Sequence, residues 1–239
     1  MRSLMKKILL IICAVFMLTA PVIAQEDDCF EKGGMWDASQ QQCVVQGSLE
    51  INIDYPLSVM QYDFVEQTVD EFIQQRKTEF IQFFSEGGFF PGVPAPWGLW
   101  IEYEEYQFSD TVISLSFTIS DYTGGAHPNS YFQTFTFDLA ENRVIAFDEL
   151  FVEGSDPLST IYPIVQQKLT ELIGDYSDPQ WIETGSGENL ANYQSFVLTE
   201  NSLIILFPPY QVAAYAAGPQ QVEIPLADLS AILKPEFVP

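Results

Sequence analysis

The chain has 239 residues, of which 33 are acidic and nine are lysine or arginine, so its formal net charge is −24. Apolar residues make up 47% and aromatic residues 14%. This composition excludes a disordered acidic chain and suits one large globular domain or two small ones. Because basic residues are too sparse to form a basic stripe, a nucleic-acid partner is not expected.

The first 24 residues have the features of a secretion signal. Arg2, Lys6 and Lys7 precede an apolar stretch from Ile8 to Ala20, and cleavage is predicted after Ala24. The apolar stretch is short for a membrane span, so an uncleaved anchor is the less favoured alternative. Cleavage leaves six basic and 33 acidic residues. The mature chain is expected to be secreted or periplasmic, without a stable membrane anchor.

Two cysteines, Cys29 and Cys43, remain after this cleavage. In an oxidising compartment such a pair predicts a disulfide. The bond would close a 15-residue loop. By restricting the unfolded chain, such a loop stabilises the folded state by about 3 kcal/mol. Residues 25–47 are therefore expected to form a small disulfide-closed segment ahead of the folded domain.

Residues 48–139 are predicted to form the first half of the domain. Alternating apolar residues predict a strand over 48–55. An apolar stripe at spacings of three and four predicts a helix from about Ser58 to Glu86, with Ser58 as its capping residue. Short turns then separate three strands of an antiparallel meander. The strands are predicted at residues 99–108, 111–122 and 131–139.

Residues 140–239 are predicted to form the second half. Asp156 and Pro157 mark the start of a helix over 157–173, and Gly174 marks its end. A stretch that is mostly loop follows, over residues 175–192. The remaining elements are a hairpin, a last strand and a short helix, predicted at residues 196–198, 202–207, 221–224 and 226–233. This order predicts an α+β fold in which an antiparallel β-sheet packs against two main helices.

The most distinctive local segment lies between two predicted strands, at residues 121–129. Its two adjacent glycines allow positive φ, and Pro128 keeps His127 extended. The segment is interpreted either as an ordered hairpin loop or as a recognition loop. The candidate ligand contacts in it are Gly124, Gly125, His127, Pro128 and Asn129.

A second aromatic segment follows an apolar strand, at residues 207–219. Tyr210 and Tyr215 are amphipathic side chains, and Gly218 precedes a proline in a turn. The segment is interpreted either as a structural crossover that packs two tyrosines onto the sheet or as a second ligand contact. The candidate contacts in it are Tyr210, Tyr215 and Gly218.

The sequence carries no recognised catalytic or metal-binding pattern, so neither a metal nor a cofactor is expected. It has no Gly-x-Ser-x-Gly, His-Glu-x-x-His or Asp-x-Asp-x-Asp-Gly motif. Catalysis by His127 would need an oriented nucleophile and a supporting carboxylate. Glu102 and Glu104 share one face of a strand and are interpreted as a solvated face.

Three stretches together resemble a known extracytoplasmic module. They are Tyr-Thr-Gly-Gly-Ala-His-Pro-Asn at 122–129, Phe-Asp-Glu-Leu-Phe at 147–151, and Pro-Tyr-Gln-Val-Ala-Ala-Tyr-Ala-Ala-Gly at 209–218 with the Val-Glu-Ile-Pro that follows at 222–225. This module forms the ectodomain of RsiV-type anti-sigma factors. It also occurs as the non-catalytic part of PdaC-type peptidoglycan deacetylases. The resemblance covers about residues 48–232. It implies an α+β fold and a binding role in the cell envelope.

The resemblance does not extend to the catalytic part of those deacetylases, because this chain has no metal-binding histidine set. We therefore expect a non-catalytic binding module of the cell envelope. Its expected partner is a cationic protein such as lysozyme, which the RsiV-type ectodomain senses, or a peptidoglycan glycan. The alternative is a cell-envelope hydrolase that uses His127 with a carboxylate.

Overall fold

The computed structural model describes residues 35–37, 39, 42–44, 49–86 and 97–239. The chain divides into two compact units, the first made of residues 1–49 and 91–96 and the second of residues 50–90 and 97–239. The described part of the first unit contains an antiparallel pair of strands, β1 (Met35–Asp37) and β2 (Gln42–Val44). The predicted signal segment, Cys29 and the side chain of Cys43 lie outside the described residues, so the signal and the disulfide stay predictions.

The following strands and helices make up the rest of the fold. They are β3 (Leu49–Ile53), α1 (Asp63–Ser85), β4 (Trp97–Gln107), β5 (Val112–Tyr122), β6 (Asn129–Asp138), β7 (Arg143–Val144), α2 (Pro157–Ile173), α3 (Pro179–Ser186), β8 (Phe196–Leu198), β9 (Ser202–Phe207) and β10 (Gln220–Pro225). The sheet order β3-β4-β5-β6-β7 gives five strands, and β10-β9-β8 gives three. Within the described residues, no helix is both long and apolar enough to cross a membrane.

Helix α1 packs on one face of the five-stranded sheet. Strand β5 is buried on both faces over residues 112–117. Because side chains alternate along a strand, the odd-numbered apolar residues from Ile113 to Ile119 share one face, and that face meets α1. The facing stripe of α1 places Phe72 against two sheet residues, with ring centroids 5.2 Å from Phe117 and 5.7 Å from Phe135. This aromatic contact fixes the helix over the centre of β5 and β6.

Helix α2 packs on the three-stranded sheet and builds a second core. Its residues Ile161, Val165, Leu169 and Ile173 recur at spacings of four and are all buried. At the helix start, the Asp156 carboxylate accepts a hydrogen bond from the Ser159 N–H at 3.3 Å. This bond satisfies one of the donors that every helix start leaves without an intrahelical partner.

Buried hydroxyl groups connect the two sheets. On the face of β5 and β6 opposite α1, the Ser114 hydroxyl accepts from the Leu198 N–H at 3.0 Å. The Thr134 hydroxyl accepts from the Phe196 N–H at 3.1 Å. The Ser114 and Thr136 hydroxyls are 2.9 Å apart and hydrogen-bonded. Because β8 is an edge strand of its sheet, these hydroxyls supply hydrogen bonds that no neighbouring strand can provide.

The predicted α+β class and most element positions are confirmed, with two corrections to the architecture. The strands expected in one antiparallel sheet form two sheets. Among the described strands, β8 to β10 pair only with one another, and they meet β5 and β6 through the Ser114 and Thr134 side chains. The region 175–192, predicted to be mostly loop, contains α3. Here Asp178 caps the helix by accepting from the Gln180 and Trp181 N–H groups, as Asp156 does for α2.

The starts and ends of two helical segments also differ from the prediction. Helix α1 begins at Asp63, not Ser58, because the Ser58 hydroxyl donates to the Glu105 carboxylate at 2.5 Å instead of capping the helix. The short helix expected over residues 226–233 is a 3₁₀ turn over Leu226–Leu229.

We predict that Thr134→Val destabilises the protein by about 1–3 kcal/mol, the usual result of leaving a buried polar group without its partner. The substitution keeps the side-chain shape but removes the acceptor for the Phe196 N–H. Urea unfolding of Thr134→Val and Thr134→Ser measures the difference. Thr134→Ser keeps the hydroxyl and should be the more stable variant, whereas a fully stable Thr134→Val would contradict this role for the hydroxyl.

Candidate functional site

The loop between β5 and β6 is closed at its base by a side-chain pair. Asp121 and Asn129 are opposite each other in the strand register, and the Asn129 amide donates to the Asp121 carboxylate at 3.2 Å. Gly124 and Gly125 have φ values of 102° and 119°, as their predicted turn role requires. The Tyr122 hydroxyl donates to the Gly125 carbonyl at 3.1 Å, so the loop has internal hydrogen bonds of its own.

The crossover between β9 and β10 is anchored on α3. The side-chain amide of Gln211 donates to the Gly185 carbonyl at 2.8 Å and to the Asn192 carbonyl at 3.2 Å. A side chain at Gly185 would place its first carbon 1.8 Å from the Gln211 carbonyl oxygen, which is shorter than any non-bonded contact. Only glycine fits there, so α3 and the crossover approach each other backbone to backbone.

Tyr210 occupies a strained position in this crossover. Its φ of 72° lies in the left-handed region, which for a residue other than glycine costs about 1–3 kcal/mol. The Trp181 indole N–H donates to the Tyr210 carbonyl at 3.0 Å and holds this backbone geometry. The Tyr210 side chain remains 54% exposed. The strain therefore presents a tyrosine ring to solvent at a fixed orientation.

The loop and the crossover meet at His127. The imidazole stacks on the Tyr215 ring, with centroids 3.5 Å apart and planes 12° from parallel. The Nε2 atom lies 3.2 Å from the Tyr210 hydroxyl, and the two tyrosine rings are 5.6 Å apart. We call His127, Tyr210 and Tyr215 the aromatic cluster. Two segments separated by 83 residues in the chain thus form one partly exposed surface.

The hydrogen bonds of His127 indicate its tautomer. Nδ1 lies 2.9 Å from the Pro128 carbonyl, which can only accept, so we assign the ring proton to Nδ1. In the neutral ring, Nε2 then accepts from the Tyr210 hydroxyl. Both ring nitrogens therefore have partners, and neither partner is a carboxylate. This arrangement orients the imidazole without supplying the acid group on which the predicted hydrolase alternative depends.

The other predicted site residues support the aromatic cluster from its edges. The Pro128 carbonyl orients the imidazole, and Gly124, Gly125 and Asn129 shape the loop that carries it. Gly218 ends the turn after Tyr215 with a φ of 72°. Within the described ranges, no group of three or more histidine, cysteine, aspartate or glutamate side chains could hold a metal ion.

Trp181 is the neighbour of the cluster that sequence reasoning missed. It lies on α3, in the region predicted to be mostly loop, and about a third of its surface is exposed. The signal that could have found it was the Asp178-Pro179 pair, which repeats the Asp156-Pro157 start of α2. By contrast, Glu102 and Glu104 are exposed, as expected for a solvated strand face.

Residues 148–227 match a protein family of unknown function, DUF3298. The peptidoglycan-N-acetylmuramic acid deacetylase PdaC of Bacillus subtilis is 25% identical over 138 residues, which cover 58% of this chain and 30% of that protein. These similarities confirm the predicted resemblance to a PdaC-type accessory module of unknown function.

Other relatives match this chain over most of their length. A protein named Esterase Rv3036c from Mycobacterium tuberculosis is 28% identical over 90% of this chain and 92% of its own. The immunogenic protein MPB64 of Mycobacterium bovis is 27% identical over 95% of this chain and 98% of its own.

Two crystal structures share the fold. A DUF3298 family protein from Pseudomonas aeruginosa superposes with a TM-score of 0.50 at 17% identity, covering 66% of this chain and 69% of that one. A DUF3298 family member from Bacteroides fragilis superposes with a TM-score of 0.50 at 20% identity, covering 76% and 70%. At these identities the similarity concerns the fold alone.

We predict that Asp121→Asn stabilises the protein at neutral pH. Burial raises the pKa of the Asp121 carboxyl, against the opposing effect of the Asn129 hydrogen bond. The folded protein therefore binds this proton more tightly than the unfolded chain does, and stability falls as the pH rises from the ordinary aspartate range through the raised pKa. Asparagine removes that dependence.

Urea unfolding of the wild type and of Asp121→Asn across this pH range measures the effect. Glu102→Gln, an exposed carboxylate on β4, is the control and should keep the wild-type profile. Parallel profiles for the wild type and Asp121→Asn would contradict the raised pKa.

Proposed function

Starting from a PdaC-type accessory module of unknown function, we propose that this protein is an extracytoplasmic binding module that holds glycan chains of the cell envelope. The observation that carries the proposal is the aromatic cluster, in which the single histidine of the chain stacks on Tyr215 and contacts Tyr210. The proposed contact surface consists of these three residues and the flanking loop residues Gly124 to Asn129.

The chemistry of the cluster suits a sugar ring. A pyranose presents C–H groups on one face and hydroxyl groups around its rim, so it combines an apolar surface with hydrogen-bonding edges. Tyrosine offers a matching ring face and a polar hydroxyl on a side chain of few rotatable bonds. The Trp181 hydrogen bond holds the Tyr210 backbone, so the exposed Tyr210 side chain presents this surface with little backbone freedom left to lose on binding.

The similarity to PdaC favours peptidoglycan as the source of the glycan. That relative is named as a deacetylase of peptidoglycan N-acetylmuramic acid. A module that binds the same polymer would keep such an enzyme on its substrate, because binding raises the local concentration of glycan at the enzyme. The predicted secretion signal is consistent with a location where peptidoglycan is accessible.

The strong negative charge supports a second candidate, a cationic protein such as lysozyme. A net charge of −24 attracts cationic proteins over about 8 Å at physiological salt. This attraction is screened by salt, whereas stacking of a neutral sugar on tyrosine is not. Binding of lysozyme at low salt that is lost in 0.5 M salt, with no glycan binding, would favour this candidate over the first.

The hydrolase alternative is favoured by the name of one relative, Esterase Rv3036c. A general base at His127 would find the Tyr210 hydroxyl within reach, but no carboxylate contacts its ring nitrogens. We therefore rank hydrolysis below binding. Release of acid from ester substrates by the wild type, abolished in His127→Ala, would reverse that ranking.

We predict that Tyr210→Ala and Tyr215→Ala each weaken binding of soluble muropeptides and of N-acetylglucosamine tetramers by about tenfold, or about 1.4 kcal/mol. Each substitution removes a ring face from the contact surface. Isothermal titration calorimetry on the folded variants measures the loss.

Tyr176→Ala is the matched control for these variants. Tyr176 is 85% exposed and lies between α2 and α3, outside the aromatic cluster. It should bind within about twofold of the wild type. Equal losses in Tyr176→Ala and Tyr210→Ala, or no glycan binding by the wild type, would reject the proposal.

A further inference from the structure

Strand β6 has an open edge along its first half. Strand β7 pairs with it only at Phe137 and Asp138. The Thr136 carbonyl, which accepts from the Ile145 N–H at 2.7 Å, points away from β5. Because backbone groups alternate in direction along a strand, those of Ser130 and Phe132 point the same way. Among the described residues, no backbone group pairs with these outward N–H and carbonyl groups.

A groove lies along this edge, on the side that faces α1. It consists of two adjoining cavities of about 280 Å³ and 360 Å³, which share Arg76 and Tyr131 in their walls. The helix contributes one wall. The sheet wall is formed by residues of β6, with Leu99 of β4, Asp121 of β5 and Thr123 of the loop after β5 at one end; the β6 residues are Asn129, Tyr131, Gln133 and Phe135. The helix wall is lined by Thr68, Glu71, Phe72, Gln75, Arg76, Glu79, Phe80 and Phe83.

The dimensions of the groove match a short extended peptide. On the helix side, residues 68–83 span about 22 Å at the α-helical rise of 1.5 Å per residue. On the sheet side, residues 129–135 span about 20 Å at the strand rise of 3.3 Å. A strand of six or seven residues has about the same length. The groove is therefore long enough for such a strand.

The charge of the groove favours a basic occupant. Its charged lining residues are Glu71, Glu79, Asp121 and Arg76. Arg76 forms an ion pair with Glu79 at 2.7 Å, which leaves Glu71 and Asp121 without a cation in the groove. The net charge of the whole chain has the same sign. Electrostatic complementarity therefore selects peptides that carry lysine or arginine.

We infer that the open edge of β6 binds an extended, basic peptide segment of a partner protein as an added strand. The peptide backbone pairs with the outward groups of Ser130 and Phe132, and alternate basic side chains enter the groove beside Glu71 and Asp121. Main-chain pairing supplies affinity, and the groove supplies selectivity for charge. Apart from Asn129, this site lies outside the proposed glycan contact surface, and it does not depend on glycan binding.

The test uses a capped heptapeptide of alternating lysine and valine, titrated into the full-length protein and followed by calorimetry and amide hydrogen exchange. The peptide should bind and protect the Ser130 and Phe132 amides from exchange. A version with N-methylated backbone amides cannot pair as a strand, and a version with glutamate in place of lysine has the wrong charge. Both should bind at least about tenfold more weakly.

Two protein variants isolate the edge. Phe132→Pro removes the outward N–H, at a position where proline is tolerated because it does not donate to β5. It should weaken binding at least about tenfold, while Phe132→Thr, which keeps the N–H, should retain binding within about threefold. Glu71→Gln, on the exposed side of α1, should weaken binding because it removes a negative charge from the groove and leaves the strand unchanged. This variant gives a second readout if Phe132→Pro does not fold.

Three results would overturn the inference. One is equal binding of the N-methylated and unmodified peptides, and another is equal binding of the glutamate and lysine peptides. The third is dimerisation of the protein alone through this edge, detected by sedimentation and abolished by Phe132→Pro, because a second copy would then be the occupant. Unchanged peptide binding in Tyr210→Ala would separate this site from the proposed glycan site.

Discussion

The fold depends on a small number of buried hydroxyl groups that join its two sheets. Ser114 and Thr134 replace the neighbouring strand that β8 lacks, because their oxygens accept from backbone N–H groups of that strand. A hydrophobic face alone would hold the sheets together but would leave these donors without partners, at a cost of about 1–3 kcal/mol for each. The hydroxyls therefore also fix the position at which the second sheet meets the first.

That position brings the candidate site together. The loop after β5 extends from the first sheet, and the crossover after β9 extends from the second. Their meeting at His127 stacks an imidazole on Tyr215 and turns the strained Tyr210 toward solvent. Hydrogen bonds from Trp181 and Gln211 hold the crossover in place. Strain of this kind persists only where the surrounding structure enforces it, which is one reason to propose a binding role for the surface.

Local patterns predicted the elements whose signals are local. Alternation located the strands of the larger sheet, and the Asp156-Pro157 start located α2 to the residue. The start of α1 was missed because Ser58 finds a partner 47 residues away, in a strand that no local pattern connects to it. The candidate site was predicted as two separate segments. Their contact depends on how the two sheets meet, which periodicity and capping do not specify.

The single histidine of the chain allows a direct test of the proposal that His127 and the two tyrosines form one surface that holds envelope glycan. In a carbon–proton NMR spectrum, the His127 ring gives one set of imidazole signals with no overlap from other histidines. We expect these signals to move saturably as a soluble muropeptide is added. Binding that leaves the His127 signals unchanged would place the ligand elsewhere and contradict the proposal.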